Sequence, residues 1–166
     1  MRKSFFCGAA ALGCLVANMA SAHVGLTVDG TASPGSTNLF GFGAGHGCGT
    51  SPTVAIRIQI PPGIESVKPV AKPGWNIDIV SNADGAVTEI HFTGGNLPNE
   101  WYDQFWIRAR INAEVPIETH IYFPVIQECV EGVNNWIAIP VEGQPEPDEA
   151  APGFEVHEAT EEGHVH

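Results

Sequence analysis

The chain has 166 residues, about the length of one domain, and its seven Lys and Arg face 19 Asp and Glu, which gives a formal net charge of −12. This acidic balance argues against nucleic acid and anionic membrane surfaces as partners. After the N-terminal leader, no stretch approaches the roughly 20 apolar residues of a membrane helix, so no membrane span is expected in the mature protein.

The leader, residues 1–22, has the features of an export signal. Two basic residues near its start precede an apolar run over residues 5–19, and a small-residue cleavage site ends at Ala22. We therefore predict cleavage after Ala22, export to the periplasm, and a mature chain that begins at His23. A competing interpretation is a lipoprotein site at Cys14, which would keep His23 internal.

The segments that follow alternate apolar and polar residues with a period of two. The stretches TVAIRIQIP and FWIRARI show this alternation most clearly. Further strand candidates, separated by Gly, Pro and Asn turns, are HVGLTV, SVKPVA, NIDIVS, VTEIHF, ETHIYFPVI and NWIAIPV. About eight short strands at this spacing predict an all-β fold, an immunoglobulin-like antiparallel β-sandwich. The glycine-rich stretch FGFGAGHGCG is expected to be a loop.

Two cysteines remain once the leader is removed. Cys48 and Cys129 form an even pair in an exported chain, so we expect one disulfide between them. The alternative is a pair of soft ligands for copper or zinc, although neither cysteine has a CxxC partner.

The C-terminal segment differs in composition from the rest. Residues 144–166 are acidic, lack any basic residue, and contain Pro and Gly that interrupt periodicity. We expect a disordered, solvated tail that follows a single domain over residues 23–143, so that truncation near Val141 leaves the stability nearly unchanged.

The sequence lacks the motifs of common enzyme classes. It has no G-x-S-x-G, no H-E-x-x-H, no P-loop, and no G-x-G-x-x-G that opens a helix pattern, so the protein is not expected to be an enzyme. The candidate metal ligands that remain are histidines: His23, His46, His91, His120, His157, His164 and His166.

His23 differs from the other histidines because cleavage before it would create two nitrogen ligands on one residue. An α-amine and an imidazole both lose their protons near neutral pH when a metal competes for them. The amine and Nδ1 can close a chelate ring on Cu(II), whose tetragonal preference leaves two equatorial places for a carboxylate, a second imidazole or water. On this short stretch alone, a coincidental cleavage before a histidine stays open as an alternative.

Six segments of the chain carry a family resemblance. They are AHV at the mature start, GHGCGTSPT (45–53), VKPVAKPGW (67–75), TGGNLPNEWYDQF (93–105), YFPVIQEC (122–129) and NWIAIPVEG (135–143). In this order they resemble the YcnI-like family of exported copper-binding domains, especially its proteobacterial branch. The resemblance implies an immunoglobulin-like sandwich that binds Cu(II) through one histidine, the N-terminal one, together with a carboxylate and a nearby tryptophan.

The resemblance also implies positions for these partners. Relatives often have Glu immediately before the Phe of the FWIRARI strand, where this chain has Gln104, which supplies no negative charge. Asp103 beside it is therefore the first candidate for the acidic ligand and Glu128 the second, and for each a solvated surface position is the alternative. Trp136 is the first candidate for the aromatic wall and Trp106 the second, with a core tryptophan as the alternative for both.

These observations predict an exported Cu(II)-binding protein that chaperones, scavenges or delivers copper, with other copper-handling proteins as partners. His46, two residues before Cys48, is a candidate second imidazole, and a surface-loop histidine is the alternative. One alternative function is a copper oxidase or monooxygenase with a two-histidine brace, whose second histidine is His46, His91 or His120. Another is a metal-free adhesion or assembly module.

Overall fold

The structure, a computed structural model, describes residues 23–159. The predicted export leader and two of the candidate histidines, His164 and His166, lie outside these residues. In chain order the described strands are β1 (Gly25–Asp29), β2 (Thr37–Ala44), β3 (Thr53–Gln59), β4 (Ile64–Pro69), β5 (Asn76–Ser81), β6 (Val87–Leu97), β7 (Asp103–Ile111), β8 (His120–Tyr122), β9 (Val125–Cys129), β10 (Val133–Trp136) and β11 (Gly153–Glu155).

The strands form two main sheets and one short sheet. The four-stranded sheet has the order β1-β2-β7-β4, the five-stranded sheet has the order β10-β9-β3-β6-β5, and β11 pairs with β8. All pairings between these strands are antiparallel. The predicted all-β antiparallel sandwich is therefore confirmed. Between residues 23 and 159 there is no helix with the length and hydropathy of a membrane span.

Alternating side chains of the two main sheets fill the space between them. On β7 the odd-numbered residues from Phe105 to Ile111 are fully buried, and the even-numbered residues between them are more exposed. On β3, Ile56 and Ile58 are buried, although a bulge between Thr53 and Ala55 interrupts the alternation. Both alternating stretches therefore behave as half-buried strands, as their period predicts.

Strand β2 overturns the expectation that FGFGAGHGCG is a loop, because residues up to Ala44 pair with β1 and β7. Its phenylalanines, Phe40 and Phe42, are fully buried in the core. The glycines take the other face, where a Cβ on Gly41 would lie 2.7 Å from ring atoms of Trp106. The glycines leave room for aromatic rings to lie against the sheet, which composition alone does not indicate.

The expected disulfide joins Cys48 to Cys129, with Cα atoms 5.9 Å apart and a sequence separation of 81. It links the loop after β2 to the end of β9. The alternative that these cysteines are soft metal ligands is wrong, because each sulfur is bonded to the other.

The predicted strand NWIAIPV ends earlier than expected, because β10 stops at Trp136. Beyond it, the Ala138 N–H donates to the Glu149 carbonyl at 3.0 Å, and the Ala151 N–H donates to the Ala138 carbonyl at 2.8 Å. The apolar side chains at positions 137, 139 and 141 are exposed. Beyond Trp136 the segment keeps its apolar alternation, but it pairs with residues 149–151 instead of with the sheet.

The expectation of a disordered tail over residues 144–166 is wrong for residues 150–156. Val156 is fully buried, β11 pairs with β8, and the ring centroid of Phe154 lies 5.3 Å from that of Phe40. The few apolar residues of this segment stand among acidic ones, and their partners are distant in sequence. Local composition therefore does not reveal that the domain extends past residue 143 to Val156.

Candidate metal centre

His23, the first described residue, lies beside Trp136, the last residue of β10. Their ring centroids are 5.4 Å apart and the ring planes are inclined by 51°. His23 is exposed, whereas Trp136 is only 7% exposed. An exposed imidazole at the start of the four-stranded sheet therefore contacts a nearly buried indole at the edge of the five-stranded sheet.

The register of β1 and β2 brings a second histidine to the same end of the sheet. Gly25 lies opposite Gly43. Because antiparallel partners run in opposite directions, continuing this pairing puts His23 opposite Gly45, which precedes His46. The segment before β1 and the loop after β2 therefore leave the sheet at the same end.

The ring of His46 has a defined tautomer. Its Nδ1 lies 2.5 Å from the Gly47 carbonyl oxygen. A carbonyl can only accept, so Nδ1 donates and Nε2 is the acceptor nitrogen of the ring. Imidazoles that bind metals are commonly held in this way, with one nitrogen donating to a backbone carbonyl. The disulfide at Cys48 and a 3.0 Å bond from the Gly47 N–H to Asn99 Oδ1 restrain the same loop.

Gln127 on β9 is a residue of this region that the sequence analysis missed. Its side chain is 1% exposed, its Oε1 accepts a hydrogen bond from Trp136 Nε1 at 3.2 Å, and its Nε2 donates to the His46 carbonyl at 2.6 Å. The sequence could have indicated Gln127, because it shares the inward face of VIQEC with Val125 and Cys129. A polar side chain at an inward position of a strand needs buried hydrogen-bond partners.

Asp103, the first candidate for the acidic ligand, is paired with a cation. Its Oδ2 lies 2.6 Å from Lys72 Nζ, whose side chain is only 13% exposed. The Lys72 ammonium also donates to the Gln104 carbonyl at 2.9 Å and lies 4.5 Å from the ring centroid of Phe105. If Asp103 left for a metal, the mostly buried Lys72 ammonium would lose its carboxylate partner, so Asp103 is poorly placed to serve as a ligand.

Glu128, the second acidic candidate, is on the wrong side of its sheet. Its Oε1 accepts from Arg57 at 2.7 Å. The neighbouring Gln127 side chain points toward Trp136, and successive side chains of a strand point to opposite faces. Glu128 therefore lies on the face away from Trp136 and His23.

The other two candidates for residues beside the metal, Trp106 and Gln104, lie away from His23 and Trp136. Trp106 lies against Gly41, and with Gln104 and Asp103 it lines a separate cleft of about 360 Å³ that has no residue in common with the cleft at His23. Gln104 Nε2 donates to the Thr27 hydroxyl at 3.2 Å. Trp106 and Gln104 therefore lie in a different cleft from the one that His23 lines.

The other described histidines pair with carboxylates. His91 Nε2 lies 2.6 Å from Glu89 on β6, and His120 Nε2 lies 3.5 Å from Glu155. His157 Nδ1 lies 3.8 Å from the other oxygen of Glu155. Each of these three imidazoles therefore has a carboxylate close to one of its ring nitrogens.

His23 opens onto a cleft of about 610 Å³. Its walls include His120 and Tyr122 from β8 and two carboxylates, Glu146 and Glu155. The sequence analysis did not single out these two acids because they lie in the segment expected to be a disordered tail.

Side chains alone do not form a metal site in the described part of the chain. Over residues 23–159, no group of three or more His, Cys, Asp or Glu side chains is arranged to hold a metal ion. The α-amine that cleavage before His23 would create is a backbone group and is not among these side chains.

The fold and this site define an antiparallel β-sandwich with one disulfide and with a histidine and a tryptophan in contact at its N-terminal edge. The chain belongs to the family described as "Domain of unknown function (DUF1775)", whose profile matches residues 23–156. The match includes β11 and ends at the buried Val156, in agreement with the extended domain boundary.

A crystal structure of an uncharacterized protein from Nocardia farcinica, described as having an immunoglobulin-like fold, is similar to this chain. The TM-score is 0.67 at 21% sequence identity, and the alignment covers 81% of this chain and 99% of that one. This similarity confirms the immunoglobulin-like class of the sandwich. No curated protein matches the chain significantly.

Proposed function

We propose that this protein is an exported, periplasmic Cu(II)-binding protein whose metal centre is built on His23 as the mature N-terminus. The observation that carries the proposal is the contact between the His23 and Trp136 rings, whose centroids are 5.4 Å apart. It matches the histidine and tryptophan pair implied by the resemblance to the YcnI-like copper-binding domains. The predicted cleavage site ends at the residue immediately before His23.

The chemistry of the terminus suits Cu(II). The α-amine and Nδ1 of one N-terminal histidine form a chelate, and Cu(II) prefers nitrogen and oxygen ligands in a tetragonal arrangement. A tryptophan indole beside the ion excludes water from one side. Because Trp136 is nearly buried, its ring is held in place before any metal arrives.

We assign the next ligand to His46. Its loop leaves β2 at the same end of the sheet as the segment that carries His23, and its Nδ1 donates to a backbone carbonyl, an arrangement common among metal-binding imidazoles. The carboxylate implied by the family resemblance is not well supplied by Asp103 or Glu128, because both are paired with cations. Glu146 and Glu155 line the same cleft as His23, and Glu146 is the better placed of the two because Glu155 already pairs with His120 and His157.

Carriage of copper fits this centre better than turnover. The sequence has no catalytic motif, and an exposed terminal histidine is accessible to a partner that exchanges the ion. We therefore propose chaperoning, scavenging or delivery of copper.

A copper oxidase or monooxygenase is the second candidate. The cleft of about 610 Å³ beside His23 favours it, because Tyr122 and Phe154 provide aromatic walls for an organic substrate. The proposed ligands His23 and His46 are also those that a two-histidine brace would use. Oxygen consumption by the copper-loaded protein with ascorbate, above that of free copper, would support this candidate over simple carriage.

The test uses mature protein beginning at His23 and an otherwise identical protein with one extra glycine before it. Cu(II) titration and electron paramagnetic resonance should show one tightly bound ion with nitrogen ligands in the first protein only. The extra residue converts the α-amine to an amide and removes the chelate. Equal affinity in both proteins would contradict the proposal.

A pair of histidine variants tests the second ligand. We expect His46→Gln to lower the Cu(II) affinity and remove one imidazole nitrogen from the resonance spectrum. His91→Gln is the matched control, because His91 pairs with Glu89 on β6 and should not affect copper. An unchanged spectrum in the His46 variant would exclude His46 as a ligand.

A further inference from the structure

The side chain of Gln127 is a fully buried amide. It is 1% exposed, and both ends of the amide are hydrogen-bonded. Nε2 donates to the His46 carbonyl at 2.6 Å and to the Thr53 hydroxyl at 2.8 Å. Oε1 accepts from Asn134 Nδ2 and Trp136 Nε1, each at 3.2 Å. The complete set of partners offsets the cost of burying this polar group.

The partners of this amide come from three different segments. Thr53 begins β3, His46 lies in the loop after β2, and the other two are on β10. One amide therefore connects the indole beside His23 to the backbone of the loop that carries His46.

The loop of His46 is restrained at two points. The disulfide fixes Cys48 to Cys129, two residues beyond Gln127, and the amide of Gln127 fixes the carbonyl of His46. The covalent link limits how far the loop can move away from β9, and the hydrogen bond sets the orientation of the peptide that bears the imidazole. The Nε1 of Trp136 donates to the same amide, so Gln127 also orients the indole.

We propose that Gln127 is the positioning residue of the copper centre, holding the Trp136 indole and the His46 loop in a fixed arrangement around His23. This inference rests on the proposed function. Gln127 does not contact the metal but acts through its hydrogen bonds to these two residues. Groups that orient metal-binding residues in this way typically change metal affinity by about 10- to 100-fold when they are replaced.

The test replaces Gln127 in the mature protein beginning at His23. Gln127→Met keeps the length of the side chain and removes all four hydrogen bonds. Gln127→Glu keeps acceptors for Trp136 and Asn134 but, when ionised, cannot donate to the His46 carbonyl. We expect Gln127→Met to lower the Cu(II) affinity by about 10-fold or more and to broaden the copper resonance spectrum. Gln127→Glu should alter the spectrum while keeping tryptophan quenching closer to the wild type.

Two control variants separate positioning from general loss of stability. Asn38→Leu removes a buried amide at the other end of β2, where Oδ1 accepts from the Ala32 N–H at 3.1 Å and Nδ2 donates to Ser36 Oγ at 2.8 Å. Asn134→Ala removes one partner of Gln127 without touching Trp136 or His46. Both should lower the unfolding temperature and leave the Cu(II) affinity and spectrum unchanged.

The outcomes are distinct. Wild-type affinity and spectrum in a folded Gln127→Met protein would overturn the proposal, as would equal changes in the Asn38→Leu control. If Gln127→Met does not fold, the test uses Gln127→Glu, and a wild-type copper spectrum in that variant would overturn the proposal. Failure of the wild-type mature protein to bind Cu(II) tightly would contradict the proposed function itself, before any variant is compared.

Discussion

The imidazole of His23 and the indole of Trp136 are in contact, with ring centroids 5.4 Å apart, although they belong to different sheets of the sandwich. His23 precedes β1 at one edge of the four-stranded sheet, and Trp136 ends β10 at one edge of the five-stranded sheet. The contact therefore exists only when the two sheets are packed. A copper centre at this position would form after folding rather than in the unfolded exported chain.

The first prediction concerns the fluorescence of Trp136. Cu(II) bound at His23 should quench this residue strongly because the two rings are in contact. Trp136→Phe should remove most of the copper-dependent quenching and lower the free energy of unfolding by about 1 kcal/mol, since the Nε1 bond to Gln127 is lost. Fluorescence titration of the mature protein is the measurement.

Trp106→Phe is the matched control for this prediction. Trp106 lies against Gly41 and lines the separate cleft of about 360 Å³. Its removal should leave the copper-dependent quenching in place. If Trp106→Phe abolished the quenching and Trp136→Phe did not, the metal would have to bind in the cleft lined by Trp106.

The second prediction concerns the disulfide. Replacing Cys48 and Cys129 together with serine opens a loop with a sequence separation of 81 residues. Loop entropy then predicts a loss of about 4 kcal/mol in the free energy of unfolding, measured by urea denaturation. Reduced and alkylated wild-type protein should lose a similar amount. Two free thiols in the native exported protein, found by mass spectrometry, would contradict the assignment.

The third prediction separates the ordered part of the C-terminal segment from the rest. A chain that ends at Val141 loses Val156 and Phe154, which pack in or against the core. At about 1.5 to 3 kcal/mol for each buried side chain, the loss is about 3 to 6 kcal/mol in the free energy of unfolding. This replaces the sequence-based expectation that the stability stays nearly unchanged.

A chain that ends at Ala159 is the control for the truncation. It keeps β11 and Val156, so thermal unfolding should resemble that of the full mature protein. It also removes His164 and His166, so any weak additional binding of Cu(II) or Zn(II) that depends on them should disappear while the tight site is kept. Loss of the tight site in this variant would make a terminal histidine a ligand.

The fourth prediction concerns the contact between Gly41 and Trp106. A Cβ at Gly41 would lie 2.7 Å from the indole, so Gly41→Ala should displace the ring and lower the free energy of unfolding by about 1 to 3 kcal/mol. In the double variant with Trp106→Ala, the alanine at position 41 should cost much less. A double-mutant cycle by urea denaturation measures the difference. Additive effects would show that the ring does not restrict this position.

Alternation of apolar residues was sufficient to predict the inward and outward faces of β7 and of β3 from Ile56 onward, but not the bulge between Thr53 and Ala55, and the even pair of cysteines was sufficient to predict the disulfide. These features are local or depend on simple chemistry: a strand exposes alternate residues to opposite faces, and two cysteines of an exported chain have each other as partners. The role of His23 stays a prediction, based on the expected cleavage site and the chemistry of its two nitrogens.

Only the tertiary structure decided which residues surround His23. It brought Trp136 and the loop of His46 to that end of the sandwich, paired Asp103 with Lys72 and Glu128 with Arg57, and made Gln127 the link between Trp136 and His46. It also gave the apolar residues near Val156 a place in the core. Such contacts join segments that are distant in the chain, and they depend on how two sheets close on each other rather than on the pattern within any one strand.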